Sequence, residues 1–211
     1  MSNKETVKVK LGILGCKITG ENDWAVTFKS RSGLRGLYNI HKGQRVANSK
    51  FIMHPIITSG FIAFQLEVDE NFESYVAVFI KNGKLNISDL ATLYAGRTDI
   101  GDNIGYTYDA GYHHMDLSTG ETVCKVQVFN SDGKILDIMV VGHKYYEKPD
   151  LKLDGNRIII FNKHIRVNGV DYKNVLQDHT VINSNLEIEN EVEFKFPLES
   201  YTDEEEDEWE A

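Results

Sequence analysis

The sequence predicts an all-β chain: an antiparallel sandwich or barrel of about nine to eleven strands, with one short helix and an acidic C-terminal tail that is disordered or extended. Three observations carry this expectation. Tight-turn signals recur at Asn82-Gly83, Asp132-Gly133, Asp154-Gly155 and Asn168-Gly169, where Gly supplies the positive φ that a two-residue hairpin loop needs. The apolar runs between these signals have strand length, about four to eight residues. The densest of them flank Asn130-Ser131-Asp132-Gly133 within residues 121–146 and are apolar on both faces, so this hairpin is expected at the centre, covered above and below.

In chain order, residues 7–18 place Val7, Val9, Leu11 and Ile13 on one face and Lys8 and Lys10 on the other, the alternation of a first strand. Residues 20–23 make a turn and 24–28 a second short strand. Two glycines and scattered bases make the following stretch, through Lys50, a loop or an edge strand outside the core. Strands are expected at 51–57 and 61–68, separated by Thr58-Ser59-Gly60. Residues 75–80 and 84–87 flank Asn82-Gly83 as a hairpin. Ser88-Asp89 offers an N-cap, and Gly96 a stop, for the one helix expected, residues 90–94. Residues 97–120 are rich in Gly and Tyr with little periodicity, which predicts a long surface loop of a kind that often carries function. Beyond the central hairpin, residues 157–167, 175–182 and 186–196 complete the strands. One β-rich domain, residues 1–198, precedes a tail, residues 199–211, whose composition cannot form a core.

Charge is distributed unevenly along the 211 residues. The net charge of −9 combines ten Lys/Arg against three Asp/Glu in residues 1–50 with eight acids and no base from Glu199 onward. Such asymmetry points to binding partners of opposite sign at the two ends. No apolar run approaches the roughly 18–20 residues of a membrane span, and MSNKETVKVK has no apolar signal segment. No membrane association is therefore expected, and the expected location is the cytoplasm of a host cell or a virion. Cys16 and Cys124 sit in apolar runs and are expected as buried free thiols.

The chemistry of catalysis is poorly represented. No G-x-S-x-G elbow, H-E-x-x-H, C-x-x-C or phosphate-loop spacing occurs, and residues 12–15 and 101–105 do not have the strand-to-helix glycine pattern of a nucleotide loop. His113 and His114, with Asp109, Asp116 and His143, are metal-ligand types, but adjacent residues on a strand point to opposite faces. The expectation is a non-enzyme with no metal and no cofactor. Asn86-Ile87-Ser88 is a glycosylation sequon without a secretion signal to give it meaning.

The basic stretch is the leading functional candidate. Lys29, Arg31, Arg35, Lys42 and Arg45 are interleaved with Phe28 and Tyr38. Single-stranded nucleic acid is held by cations that meet phosphates and by aromatic faces that stack on bases, each stack contributing about 1–3 kcal/mol. The plainer reading is a solubilising loop whose aromatics belong to the core. At the other end, Glu204, Glu205, Glu206, Asp207 and Glu208 surround Trp209, an exposed aromatic on an acidic handle for a protein partner. The plainer reading there is a solvated terminus.

Taken together, a β-rich core with a cationic stretch and an acidic, aromatic-bearing C-terminus resembles the layout of phage-type single-stranded-DNA-binding proteins. That resemblance implies a tail that shields the binding groove and recruits replication partners, and it transfers no individual residue. Single-stranded nucleic acid is the expected partner. The alternatives are a virion structural protein (capsid, decoration or tail component) held by neighbouring subunits, with possible homo-oligomerisation, and an acidic inhibitor that mimics nucleic acid. A binder should gather its cations into one groove, whereas an assembly protein should show open strand edges.

Overall fold

The computed structural model describes residues 3–66, 76–87, 97–108, 114–115, 122–142, 149–174, 177–189 and 195–196. It is all-β, with its sheets packed face to face and one helix among the described residues. The helix expected at 90–94 and the tail at 199–211 lie outside those residues.

The helix is α1, Asn3–Ile13, where alternation predicted a strand. Val7 and Leu11, four residues apart, share a helical face, and these two alone of the alternating set are buried, against Cys16, Val26 and Phe28. Val9 and Ile13 are 49% and 80% exposed. Two of the four apolar positions suit either period, and the groove offered by Val26 and Phe28 selects the helix. Glu5 in the first turn and Lys10 in the last complement the helix dipole. Local chemistry ends it: the Cys16 amide donates to the Leu11 carbonyl and the Gly15 amide to that of Gly12, both at 2.9 Å. This is a Schellman cap with Gly15 at φ 73°. Its usual apolar contact is present too, since Cys16 and Leu11 share a core.

A four-stranded meander follows, β1 (Lys17–Glu21), β2 (Ala25–Lys29), β3 (Arg35–Asn39) and β4 (Gln44–Asn48). The reading of this stretch as non-core is overturned for β3, an interior strand with Leu37 and Asn39 buried. Gly36, which had weakened the strand signal, permits the pairing, because a Cβ there would overlap the Val46 carbonyl oxygen.

The second meander is β5 (Ile56–Ile57), β6 (Phe61–Gln65), β7 (Val76–Ile80) and β8 (Gly83–Lys84). Pro55, which lacks a ladder donor, confines the strand expected at 51–57 to its last two residues, and Phe51 makes only an isolated bridge to Leu66. A hairpin forms here, but its turn lies one residue earlier than expected: Ile80 stands opposite Gly83, so Lys81-Asn82 is the loop, Gly83 is paired, and the second arm is Gly83–Lys84 rather than 84–87.

The largest sheet has eight strands among the described residues. These are β9 (Arg97–Ile100), β10 (Ile104–Tyr108), β11 (His114–Met115), β12 (Thr122–Asn130), β13 (Ile135–Val141), β16 (His164–Val167), β17 (Val170–Lys173) and β19 (Lys195–Phe196). The hairpin β12–β13 is interior to it, as expected, flanked by β10 and β16. The long loop expected from residue 97 is in part the β9–β10 hairpin, and every residue of β10 is buried. Its Tyr and Gly residues are strand residues: Tyr106 and Tyr108 pack inward, and Gly105 passes beneath the ring of Phe129.

Three remaining strands, β14 (Leu151–Asp154), β15 (Arg157–Ile160) and β18 (Thr180–Asn183), form a separate sheet. The single strand expected at 157–167 is therefore two, β15 and β16, in different sheets. The chain crosses at Asn162, whose side-chain oxygen accepts the His164 amide at 2.7 Å. Asn168-Gly169 forms the expected two-residue turn, with φ of 51° and 80° and Val167 opposite Val170.

Among the described residues, four cores join these layers. Val26 and Phe28 of β2 pack under α1. Ala25 and Leu37 meet Phe64 and Phe79 of the second meander. The other face of that meander, Phe61, Ala63, Val78 and Ile80, meets Ile100 and Phe129 of the large sheet. The opposite face of the large sheet, including Val126, Val128 and Ile138, meets Ile158, Ile160 and Ile182. Cys16 and Cys124 are buried free thiols, as expected. No helix among the described residues is long and apolar enough to cross a membrane.

Candidate nucleic-acid interface

Register sorts the basic residues of the first meander onto two faces. Directly paired residues point to the same side of a sheet. Lys17 pairs with Lys29, Lys29 with Arg35, and Arg35 with Asn48, so three cations stand side by side at one end of the meander. With strands roughly 4.8 Å apart, Lys17 and Arg35 are about 10 Å apart along the row. Arg31 joins that end from the β2–β3 turn. Its guanidinium group lies over Gly15, where a Cβ would come within 2.6 Å of Nε.

Tyr38 and Arg45 pair with each other three steps toward the opposite end, on the face that carries Phe28 and α1. The Arg45 guanidinium sits over the Phe28 ring, 4.9 Å from its centroid. Phe28 is fully buried. It is a core residue and a cation–π platform for Arg45, and it offers no face to a base. Tyr38 is half-buried against the same core. Lys42 lies in the β3–β4 turn, at the far end from the cationic row. The structure thus unites Lys29, Arg31 and Arg35, adds Lys17, and separates them from Phe28, Tyr38, Lys42 and Arg45. Lys17 was absent from the candidates visible in sequence because only pairing register brings it beside Lys29.

The electrostatics of the row are unbalanced. Like charges directly opposite in a ladder destabilise it, yet among the described residues no carboxylate is in ion-pair contact with Lys17, Lys29, Arg31 or Arg35. Arg35 Nη1 is shielded from solvent and has no hydrogen-bond partner among the described residues. A shielded guanidinium donor without an acceptor is costly unless an anion completes it. By contrast Lys8, on the flank of α1, is bonded to Glu21 at 2.6 Å and Glu5 at 3.0 Å, and those two bonds raise its pKa.

A second polar cluster lies on the large sheet. Asp171 Oδ1 accepts from Arg166 Nε at 3.0 Å and lies 2.7 Å from His164 Nε2, while Asp171 Oδ2 accepts from Arg166 Nη2 at 3.4 Å. Burial pushes the Asp171 carboxyl up, but its bonds to His164 and Arg166 together hold it below its ordinary value. Arg166 is 6% exposed, so this arrangement braces the β16–β17 hairpin. It was unforeseen, although the Asn168-Gly169 turn already sets Arg166 opposite Asp171.

Of the metal-ligand types singled out in the sequence, His113, Asp109, Asp116 and His143 lie outside the described residues, as do Glu204, Glu205, Glu206, Asp207, Glu208 and Trp209. No group of three His, Cys, Asp or Glu side chains among the described residues could hold a metal ion.

No protein-family model matches the chain, and no curated protein matches it. Among solved structures, the crystal structure of the computationally designed Ika8 protein aligns over 82% of this chain and 86% of its own, at 10% identity and a TM-score of 0.25. A likeness that slight carries no argument about fold or function.

Proposed function

We propose that the protein is a non-enzymatic binding protein that holds single-stranded nucleic acid by its phosphates, at the end of the first meander formed by Lys17, Lys29, Arg31 and Arg35. The observation that supports this reading is the row of like charges on adjacent strands with no described carboxylate beside it. Its repulsion is relieved by a polyanion whose phosphates bridge the cations. Arg35 is the anchor through the rest of its guanidinium fork, since Nη1 is shielded from solvent and Arg meets phosphate oxygens in fixed geometry. Without Phe28 as a stacking face, recognition is dominated by the backbone and is tolerant of sequence. The acidic tail, with Trp209, serves a protein partner in this proposal.

The test is fluorescence anisotropy of a labelled homopolymeric single strand across a salt series. Replacing all four cations with Ala should weaken binding and lower the salt slope by about 2–3, at roughly 0.7 for each phosphate no longer neutralised. The pair Lys42→Ala and Arg45→Ala should change it by much less. An absence of wild-type binding at low salt, or an unchanged slope in the fourfold variant, would sink the proposal.

The second reading, a component of a larger protein assembly, is favoured by a different observation. Ile13 and Leu14 at the end of α1, Ile52 and Met53 between the two meanders, and Ile56 of β5 are exposed apolar side chains. Native mass spectrometry separates the two: a defined oligomer dissociated by charged substitutions at Ile13 and Met53 supports assembly.

A further inference from the structure

The end of the molecule opposite the cationic row is built from turns, and they are braced to one another across sheets. Trp24 Nε1 donates to the Ser59 carbonyl at 2.9 Å, and the amide and hydroxyl of Ser59 both donate to Asp102. Asn39 donates to the Lys81 carbonyl and accepts the Lys42 amide, both at 2.9 Å. The Ser131 amide donates to the Asn103 carbonyl at 3.0 Å. Gly60 lies so close to the β9–β10 turn that a Cβ would overlap the Asp102 carbonyl oxygen.

Between these turns lies a cleft of about 400 Å³, with Trp24 in its wall and His41, Lys81, Asn82 and Asp132 around it. That volume is within the range of small-molecule sites, about 300–1,000 Å³. The bracing groups are committed to each other, but the four rim side chains are not. Among the described residues, none of them makes a side-chain hydrogen bond or ion pair.

We propose that this cleft is a saccharide-binding site, taking a pyranose by its vicinal hydroxyl groups. The four rim groups supply the complement such a ligand needs. A carboxylate only accepts, an ammonium only donates, and the carboxamide and imidazole do both, as each sugar hydroxyl does. Lys81 and Asp132 cancel in charge, so the cleft gives no net attraction to an anion, unlike the cationic end. Trp24 is 5% exposed, so its indole closes the wall and offers the ring little apolar surface, and recognition rests on the four polar rim groups. Because the turns are braced before any ligand arrives, the ordering cost of binding falls on the four rim side chains and not on the backbone. The site is independent of the nucleic-acid reading, lying on other residues at the other end of the first meander.

Proton–nitrogen correlation spectra of the full chain test this directly, using D-glucose, D-galactose, D-mannose and N-acetyl-D-glucosamine as probes, and inorganic phosphate and acetate as charged controls. At least one sugar should shift the Trp24 indole N–H and the Gly60 amide saturably, with a Kd in the millimolar range. The double variant Asn82→Ala, Asp132→Ala alters only exposed side chains. It should keep the remaining spectrum and weaken that binding tenfold or more. The proposal is overturned if none of the four sugars moves these resonances, if phosphate or acetate moves them and sugars do not, or if the double variant binds as the wild type does.

Discussion

Gly60 shows how much a missing side chain can decide. Its closeness to the Asp102 backbone and to Ser131 brings the β5–β6 turn against two turns of the large sheet, and no flexible side-chain end is present to yield. Gly60→Ala is expected to destabilise the protein by about 2–4 kcal/mol, the range for overpacking against fixed backbone, read by urea denaturation. Asp171 makes a second residue-level argument, through pH. Its carboxyl is held below its ordinary value of 3.8 in the folded state. Its contribution is therefore fully present above the unfolded pKa and is lost as pH falls through the lower, folded one. Stability measured against pH should fall below about pH 4 in the wild type and fall less in Asp171→Asn. At neutral pH that variant should be less stable by about 2 kcal/mol, because Arg166 loses its carboxylate acceptor in a buried site.

Among elements, α1 offers the sharpest test, because helix and strand make opposite claims for the same residues. Leu11→Ala should cost about 2–4 kcal/mol as a buried large-to-small change. Val9→Ala and Ile13→Ala should fall within about 0.5 kcal/mol of wild type, as exposed positions do. A strand burying all four alternating residues would make the three costs similar, and equal losses in denaturation would contradict the helix. The same element shows where sequence reading ends. Hairpins at Asn168-Gly169 and around Asp132-Gly133 were legible because their turn chemistry is local, a backbone requirement for positive φ met by one residue type. The period of residues 7–13 was ambiguous, and the groove that settled it comes from β2. The Gly and Tyr residues of β10 look irregular in sequence and become regular only beneath Phe129. The candidate site divides the same way. The identities of its cations were visible, but which of them share a face depends on register, and so Lys17 was missed and Phe28 misassigned.

At the scale of the molecule, the β6–β7 hairpin is the joint between layers, with Phe61 and Ala63 in one core and Ile62 and Phe64 in another. A strand buried on both faces cannot open without breaking both cores. Amides of β6, β7 and β12 should therefore exchange only by global unfolding, while those of β1, β4 and β14, at sheet edges, exchange by local opening. Native-state hydrogen exchange reads this directly, and fast exchange in β6 would show that the two cores unfold separately.

The order of the layers also has a consequence for synthesis. Each meander pairs only strands that are neighbours in sequence, and the second lies between the first and the large sheet. A nascent chain leaving the ribosome can therefore complete α1 and the first meander, and lay the second against Leu37, before the large sheet is made. The exception is the stretch from β14 to β19. Strands β14, β15 and β18 alternate with β16, β17 and β19 between two sheets, so this stretch must be sorted after much of its docking surface already exists. Folding should stall there, with the face of β12–β13 that carries Val126, Val128 and Ile138 incompletely covered until β15 and β18 have both docked.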